Sequence, residues 1–121
     1  MRVITGTARG KRLATLTGDA VRPTPERIKE AVFSVVQFDI EGRRMLDLFT
    51  GSGQMAIEAL SRGAAGCTFV DQRKEAVALV RSNLKLCQLS EKARVVQGEG
   101  LSFLSTVREP FHLIFLDPPY K

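Results

Sequence analysis

The sequence predicts an α/β domain with a doubly wound, mainly parallel sheet, and three observations carry that expectation. From residue 45 onward, short apolar runs alternate with segments of helical periodicity. The runs are continuously apolar rather than alternating, as strands covered on both faces require. A glycine turn, Gly51-Ser52-Gly53, falls between the first run and the helix that follows it. Strand and helix in strict alternation imply right-handed βαβ crossovers, hence parallel strands with helices on both sides.

The elements can be justified in order. Residues 2–16 alternate loosely, with Val3, Ile4, Leu13 and Leu16 around Gly6 and Gly10, as in a short hairpin. Thr24-Pro25-Glu26 reads as a helix start, with a hydroxyl cap, proline at the first helical position and an acid near the positive dipole end. Ile28, Ala31, Val32, Val35 and Val36 then recur at helical spacing. Met45–Phe49 reads as a strand, and Met55–Arg62 as a helix stopped by Gly63. Thr68–Val70 is the second strand, and Lys74–Cys87 a helix with Val77, Val80, Leu84 and Cys87 on one side. Val95-Val96, Leu101–Val107 and Phe111–Leu116 complete the series as strand, short helix and fourth strand.

The 121 residues suit one domain, long enough for a core but short for a complete nucleotide-binding α/β enzyme. Within it, residues 1–43 are expected to form an extension and 44–121 a cofactor-binding core. No run approaches the roughly 18 apolar residues of a membrane span, and the N-terminus lacks a signal peptide's apolar stretch. No membrane partner is expected. Cys67 and Cys87 have no metal-type spacing and read as free thiols in a reducing cytoplasm, so no metal is expected either.

The net charge is +5, unevenly spread: residues 1–44 hold nine Lys/Arg against five Asp/Glu, and residues 45–121 hold nine against eight. The excess lies at Arg2, Arg9, Lys11, Arg12 and Arg22. That placement suits a polyanion whose phosphates release counterions on contact, although a solvated basic face would look the same.

Gly51-x-Gly53-x-x-Ala56 fits a nucleotide-binding fingerprint, with Asp71 twenty positions after Gly51 at the end of the second strand. A side chain at either glycine would block close approach of backbone to ligand, and a carboxylate at Asp71 can accept from ribose hydroxyls. Asp47, inside the first strand, could face a cationic amino acid or sulfonium but would repel a pyrophosphate. This favours S-adenosyl-L-methionine over a nicotinamide, while a turn-stabilising role for Asp47 stays open. Glu99 could accept from an adenine amine, or could simply be a helix-start acid.

Asp117-Pro118-Pro119-Tyr120 closes the last apolar run. An exocyclic amine on a base ring is a poor nucleophile because its lone pair is delocalised. Acceptors aimed at its protons favour the pyramidal form and stabilise positive charge as a methyl arrives. The Asp117 carboxylate and the Pro118 carbonyl supply two such acceptors, the prolines fix the backbone, and Tyr120 offers a stacking face to a flipped base. A Pro-Pro turn ending an ordinary strand is the bland alternative.

Ile114-Phe115-Leu116-Asp117-Pro118-Pro119-Tyr120 resembles the Asp/Asn-Pro-Pro-aromatic signature of amino-directed class I methyltransferases. The whole chain is similar to the narrower RsmD family. The similarity runs through Arg2-x-Ile4-x-Gly6-x-x-x-Gly10, Arg22-Pro23-Thr24, Glu30-Ala31-x-Phe33, Asp47-Leu48-Phe49-x-Gly51-Ser52-Gly53 and Glu58-Ala59-Leu60-Ser61-Arg62-Gly63-Ala64. The resemblance implies a Rossmann-like fold, S-adenosyl-L-methionine as donor, and N2 of a guanine in 16S ribosomal RNA, within an assembling small subunit, as acceptor. It also implies a cytoplasmic protein, expected to be a monomer when full length. Two residues depart from the family pattern: Thr50 replaces an alanine, and Glu99 an aspartate. An adenine-N6 methyltransferase, or a silent fragment that binds donor or RNA, are the competing readings. The family's sheet has seven strands, of which this chain supplies four, so Phe111–Leu116 is expected to be an exposed apolar edge. A chain ending at Lys121 is accordingly expected to be marginally stable or self-associating, and to lack methyl transfer.

Overall fold

A computed structural model describes residues 1–15 and 25–116. The elements are α1 (Glu26–Val36), β1 (Arg44–Leu48), α2 (Gln54–Ser61), β2 (Gly66–Asp71), α3 (Lys74–Leu86), β3 (Ala93–Gln97), α4 (Gly100–Thr106) and β4 (Leu113–Leu116). The four strands form one parallel sheet in the order β3-β2-β1-β4. The chain winds from β1 outward to β3, then returns to the other side of β1. The order therefore reverses between β1 and β4, and ligands of open α/β sheets bind outside the strand carboxyl ends at such a point.

The sheet has two unlike faces. Met45, Cys67 and Phe69, with Val95, Leu113 and Phe115, join Phe33 of α1, Ala56 and Ile57 of α2, and Val80 and Leu84 of α3 in the larger core. Phe33 meets Phe115 with ring centroids 5.8 Å apart, and the Arg62 guanidinium lies 4.7 Å from the Phe33 centroid. On the other face Leu46, Leu48 and Val70 form a smaller cluster with Phe49, Val96, Phe103 and Phe111. Ile114 and Leu116 are 49% and 63% exposed. Among the described residues β4 pairs only with β1, which leaves the exposed apolar edge expected from the sequence.

Several boundaries differ from expectation for visible reasons. Phe49 leaves the first strand because its φ is 58°, a left-handed conformation uncommon for a bulky residue. The fourth strand begins at Leu113 rather than Phe111: the Nδ1 of His112 accepts the Arg44 N–H at 3.0 Å in place of a backbone carbonyl. Pro25 is the cap residue of α1 rather than its first helical residue, and the expected cap, Thr24, lies outside the described residues.

The N-terminal segment is a closed loop with one antiparallel bridge, Arg2 to Arg12, rather than a full ribbon. Val3, Ala8 and Leu13 are buried beneath it. Its anchor is Glu58 of α2, fully buried. Glu58 Oε1 accepts from Ile4 N at 2.8 Å and pairs with Lys29 Nζ at 3.0 Å, while Oε2 accepts from Thr5 N at 3.0 Å and Arg62 Nε at 2.9 Å. Burial alone would raise its pKa, but these donors outweigh burial and hold it below the usual value. One turn on, Ser61 takes Thr7 N on its carbonyl and Ala8 N on its hydroxyl. Gly6 has φ +94°, and a Cβ there would lie 1.8 Å from the Ser61 carbonyl oxygen. Only glycine fits.

Candidate functional site

The site grows from the turn that joins β1 to α2. Phe49, Gly51 and Gly53 all have positive φ, at 58°, 58° and 81°, so the chain coils tightly as it leaves the sheet. Gly53 N donates to Thr50 O at 2.9 Å, and Thr50 N reaches Val70 O of β2 at 3.3 Å. Gly53 is required for an additional reason to the one the sequence suggested: a Cβ there would crowd Phe69, Val80 and Ile57 at 3.2–3.3 Å. Core packing and the left-handed backbone thus both favour glycine at this position.

Asp71 ends β2 directly beside this turn. Its Oδ2 accepts Gly51 N at 3.1 Å and Arg73 Nη2 at 2.9 Å; its Oδ1 accepts Arg73 N at 2.9 Å and Arg73 Nε at 3.0 Å. Burial pushes this carboxyl up, yet Arg73 and the Gly51 amide outweigh it and leave the pKa lowered. The turn is therefore stapled to the second strand by a buried carboxylate. The Arg73 side chain, 29% exposed, forms the outer half of that staple.

Asp47 is buried in β1, and its Oδ2 accepts the Thr50 hydroxyl at 2.9 Å. It faces the larger core, in register with Phe69 and Phe115, and its charge adds to the burial that pushes the Cys67 thiol well up. Glu99 is the N-cap of α4: it accepts from Leu101 N at 3.0 Å, and from Ser102 N and the Ser102 hydroxyl at 2.9 and 3.0 Å. These donors hold its pKa below the usual carboxylate value. The helix-start reading of Glu99 describes this geometry, and its carboxylate is engaged along its own helix.

Sequence reasoning missed two polar residues. Gln54, first in α2, is buried, and its Oε1 has no hydrogen-bond partner among the described residues. Asn83, on the buried side of α3, bonds both the glycine turn and the N-terminal segment. A polar residue inside the apolar stripe Val77–Val80–Leu84–Cys87 was the available signal for Asn83. Gln54 adjoined the glycine motif with no pattern to mark it.

The basic residues lie on the N-terminal loop. Arg9, Lys11 and Arg12 are exposed and make no ion pair among the described residues, whereas Arg2 is paired with Glu26 at 2.8 Å. This loop abuts the glycine turn, with the Ser52 hydroxyl 3.6 Å from Met1 Sδ. Arg22, Asp117, Pro118 and Tyr120 lie outside the described residues. Leu116 of β4 lies opposite Leu48, the last residue of β1 before the glycine turn. Among the described residues no cluster of His, Cys, Asp and Glu could hold a metal ion, and no helix is long and apolar enough to cross a membrane.

YlbH of Bacillus subtilis is 44% identical over all of this chain and 67% of its own length. Ribosomal RNA small subunit methyltransferase D of Escherichia coli is 35% identical over all of this chain and 61% of its own. The solved structure of yhhF from Escherichia coli superposes with a TM-score of 0.89 at 33% identity, over all of this chain and 65% of that one. The chain thus spans about two thirds of the length of the relatives it matches. The family described as Conserved hypothetical protein 95 matches residues 1–121, and the chain belongs to it, the RsmD family of Rossmann-like methyltransferases.

Proposed function

We propose that this chain carries the donor turn and the reacting motif of an S-adenosyl-L-methionine-dependent methyltransferase acting on the exocyclic N2 of a guanine in 16S ribosomal RNA. The observation that carries this reading is the stapled turn at Gly51–Gly53. It lies at the reversal of strand order, with a carboxylate on its rim and a second one, Asp47, beneath it. Two carboxylates suit a ligand bearing a sulfonium and an ammonium, and disfavour a pyrophosphate. Buried Gln54 Oε1, which has no partner among the described residues, is a further acceptor at the start of α2. These residues fit the donor, whose chemistry is to supply an electrophilic methyl group when bound.

The protein's own tasks are to hold the donor and to activate the amine. A carboxylate offers about four acceptor positions. Asp71 has four donors on it, three from Arg73 and one from Gly51. For Asp71 to accept ribose hydroxyls, the Arg73 guanidinium must give way, and its partial exposure permits that. The Gly51 bond stays, so the turn keeps its shape. Asp117 and the Pro118 carbonyl, on the segment that follows β4, accept from the amine protons, and Tyr120 stacks on the base. Arg9, Lys11, Arg12 and Arg22, with Arg2 once freed from Glu26, meet RNA phosphates. The acceptor in an assembling small subunit, the monomeric state and the cytoplasmic setting belong to the same reading. The name of the Escherichia coli relative supports ribosomal RNA over DNA.

The test is methyl transfer from labelled donor to small-subunit RNA, with digestion to nucleosides. Label in N2-methylguanosine is expected, and label only in N6-methyladenosine would overturn the assignment. Asp117→Ala should reduce turnover on the order of 10²–10³-fold with donor affinity nearly kept, the scale of a lost preorganised charge-stabilising group. Full turnover in that variant would remove Asp117 from the chemistry.

A further inference from the structure

The donor turn has a second anchor besides Asp71, on α3. Asn83 is 1% exposed at the middle of α3. Its Nδ2 donates to the Ser52 carbonyl at 2.9 Å and to the Ala14 carbonyl at 3.0 Å, and its Oδ1 accepts Ala14 N at 2.9 Å. Both amide protons are thus used, and both backbone groups of Ala14 are read by one side chain. Ser52 is the central residue of the glycine turn. Ala14 closes the N-terminal loop, two residues beyond Arg12.

An asparagine in a helix face that otherwise buries Ala76, Val77, Val80 and Leu84 carries a desolvation cost that only its partners offset. Those partners come from 31 and 69 residues away and belong to the two parts of the site. An apolar residue would fill the same space without fixing either. We propose that Asn83 is a positioning residue: it locks the Ser52 carbonyl and thereby the shape of the donor turn, and it makes that shape depend on the docked N-terminal loop. Asp71 holds the turn by Gly51 N–H; Asn83 holds it by the carbonyl of the next residue, Ser52. The donor meets a turn pinned at consecutive residues by two different elements. This inference rests on reading the turn as the donor site, although the clamp itself does not require a donor.

Asn83→Asp keeps the size and the acceptor but removes both donors; Asn83→Ala removes all three bonds. Ile40→Val, a remote core change, serves as the control for general loosening. Amide hydrogen exchange of residues 50–53 should quicken about tenfold or more in the Asn83 variants relative to Ile40→Val, while the β2 amides Phe69 and Val70 exchange alike in all three. Affinity for S-adenosyl-L-homocysteine, by calorimetry, should fall about tenfold. Equal acceleration in the turn and in β2, as a merely structural residue would give, overturns the proposal. So does an unchanged turn. In the unsubstituted chain the Asn83 side-chain amide protons should exchange slowly, and free-amide exchange there overturns the proposal even if no variant folds. If the unsubstituted chain does not bind S-adenosyl-L-homocysteine, the donor reading fails, while the exchange measurements still decide on the clamp.

Discussion

Glu58 and Asp71 are two buried carboxylates with the same inventory and different roles. Each accepts four hydrogen bonds, two per oxygen, and each includes an arginine. The partners of Glu58 come from three separate regions: Ile4 and Thr5, Lys29 of α1, and Arg62 at the end of α2. The Lys29 and Glu58 side chains are 1% and 0% exposed. Nothing from solvent can replace them. The partners of Asp71 are local, Gly51 and Arg73, and the arginine reaches the surface. A ligand hydroxyl can compete there. Saturation mainly by buried or distant groups makes Glu58 a joint of the fold; in the proposed function, the partly exposed Arg73 lets ligand hydroxyls take its place on Asp71.

The sharpest break of that comparison is thermodynamic. Glu58→Ala leaves Lys29 as an uncompensated buried charge and should cost about 3–5 kcal/mol of folding stability, read from denaturant unfolding. A loss comparable to a surface substitution would show that the N-terminal loop is not held by this carboxylate. Asp71→Ala should instead weaken donor binding by roughly 1–3 kcal/mol, the scale of lost charge-assisted hydrogen bonds. Unchanged affinity would remove Asp71 from the donor site.

Acid sharpens the contrast. The pKa of Glu58 is held below its ordinary 4.5 and that of Asp71 below its ordinary 3.8, so both stabilise the fold when ionised. Their contribution is complete above those ordinary values and is lost as pH falls through the lowered ones. Stability of the unsubstituted chain should therefore decline below about pH 4.5. Glu58→Gln should flatten the acid limb more than Asp71→Asn does. Equal slopes in all three would mean that neither carboxylate is linked to folding.

The smallest effect concerns the exposed loop. Neutralising Arg9, Lys11 and Arg12 together should weaken RNA binding and flatten its salt dependence, each lost phosphate contact removing roughly 0.7–0.9 from the log–log slope. Folding stability should hardly move, since none of the three is ion-paired among the described residues. An unchanged salt slope would reduce this loop to a solvated face.

The sequence revealed what depends on local pattern. The strand–helix alternation, the turn at Gly51–Gly53 and the place of Asp71 at the end of the second strand follow from spacing and periodicity, whereas the bond from Gly51 N to Asp71 was not read from them. What escaped it is what long-range contact decides. Glu58 lies in a stretch that resembled the family and Arg62 sits one helical turn from it, but Ile4, Thr5 and Lys29 are far away in sequence and no period links them to it. Gly6 looked like a loop glycine, whereas the Ser61 carbonyl pressing on it is set by how the loop docks on α2. The left-handed turn at Phe49 is invisible in a run that reads as strand through its last residue. Glu99 had two legible roles, and the amides of α4 settle how its carboxylate is engaged in this structure.

The central claim is that the Asp71 staple yields to ligand while the Glu58 joint does not, and one spectrum can follow both. In a nitrogen-resolved NMR titration with S-adenosyl-L-homocysteine, the Nε–H signals of Arg73 and Arg62 report the two carboxylates separately. Saturating ligand should shift the Arg73 Nε–H and speed its solvent exchange, with the Gly51 amide still protected and the Arg62 Nε–H unmoved. Ligand that saturates the chain while Arg73 Nε–H keeps its bound signal, or that moves Arg62 equally, would contradict that claim.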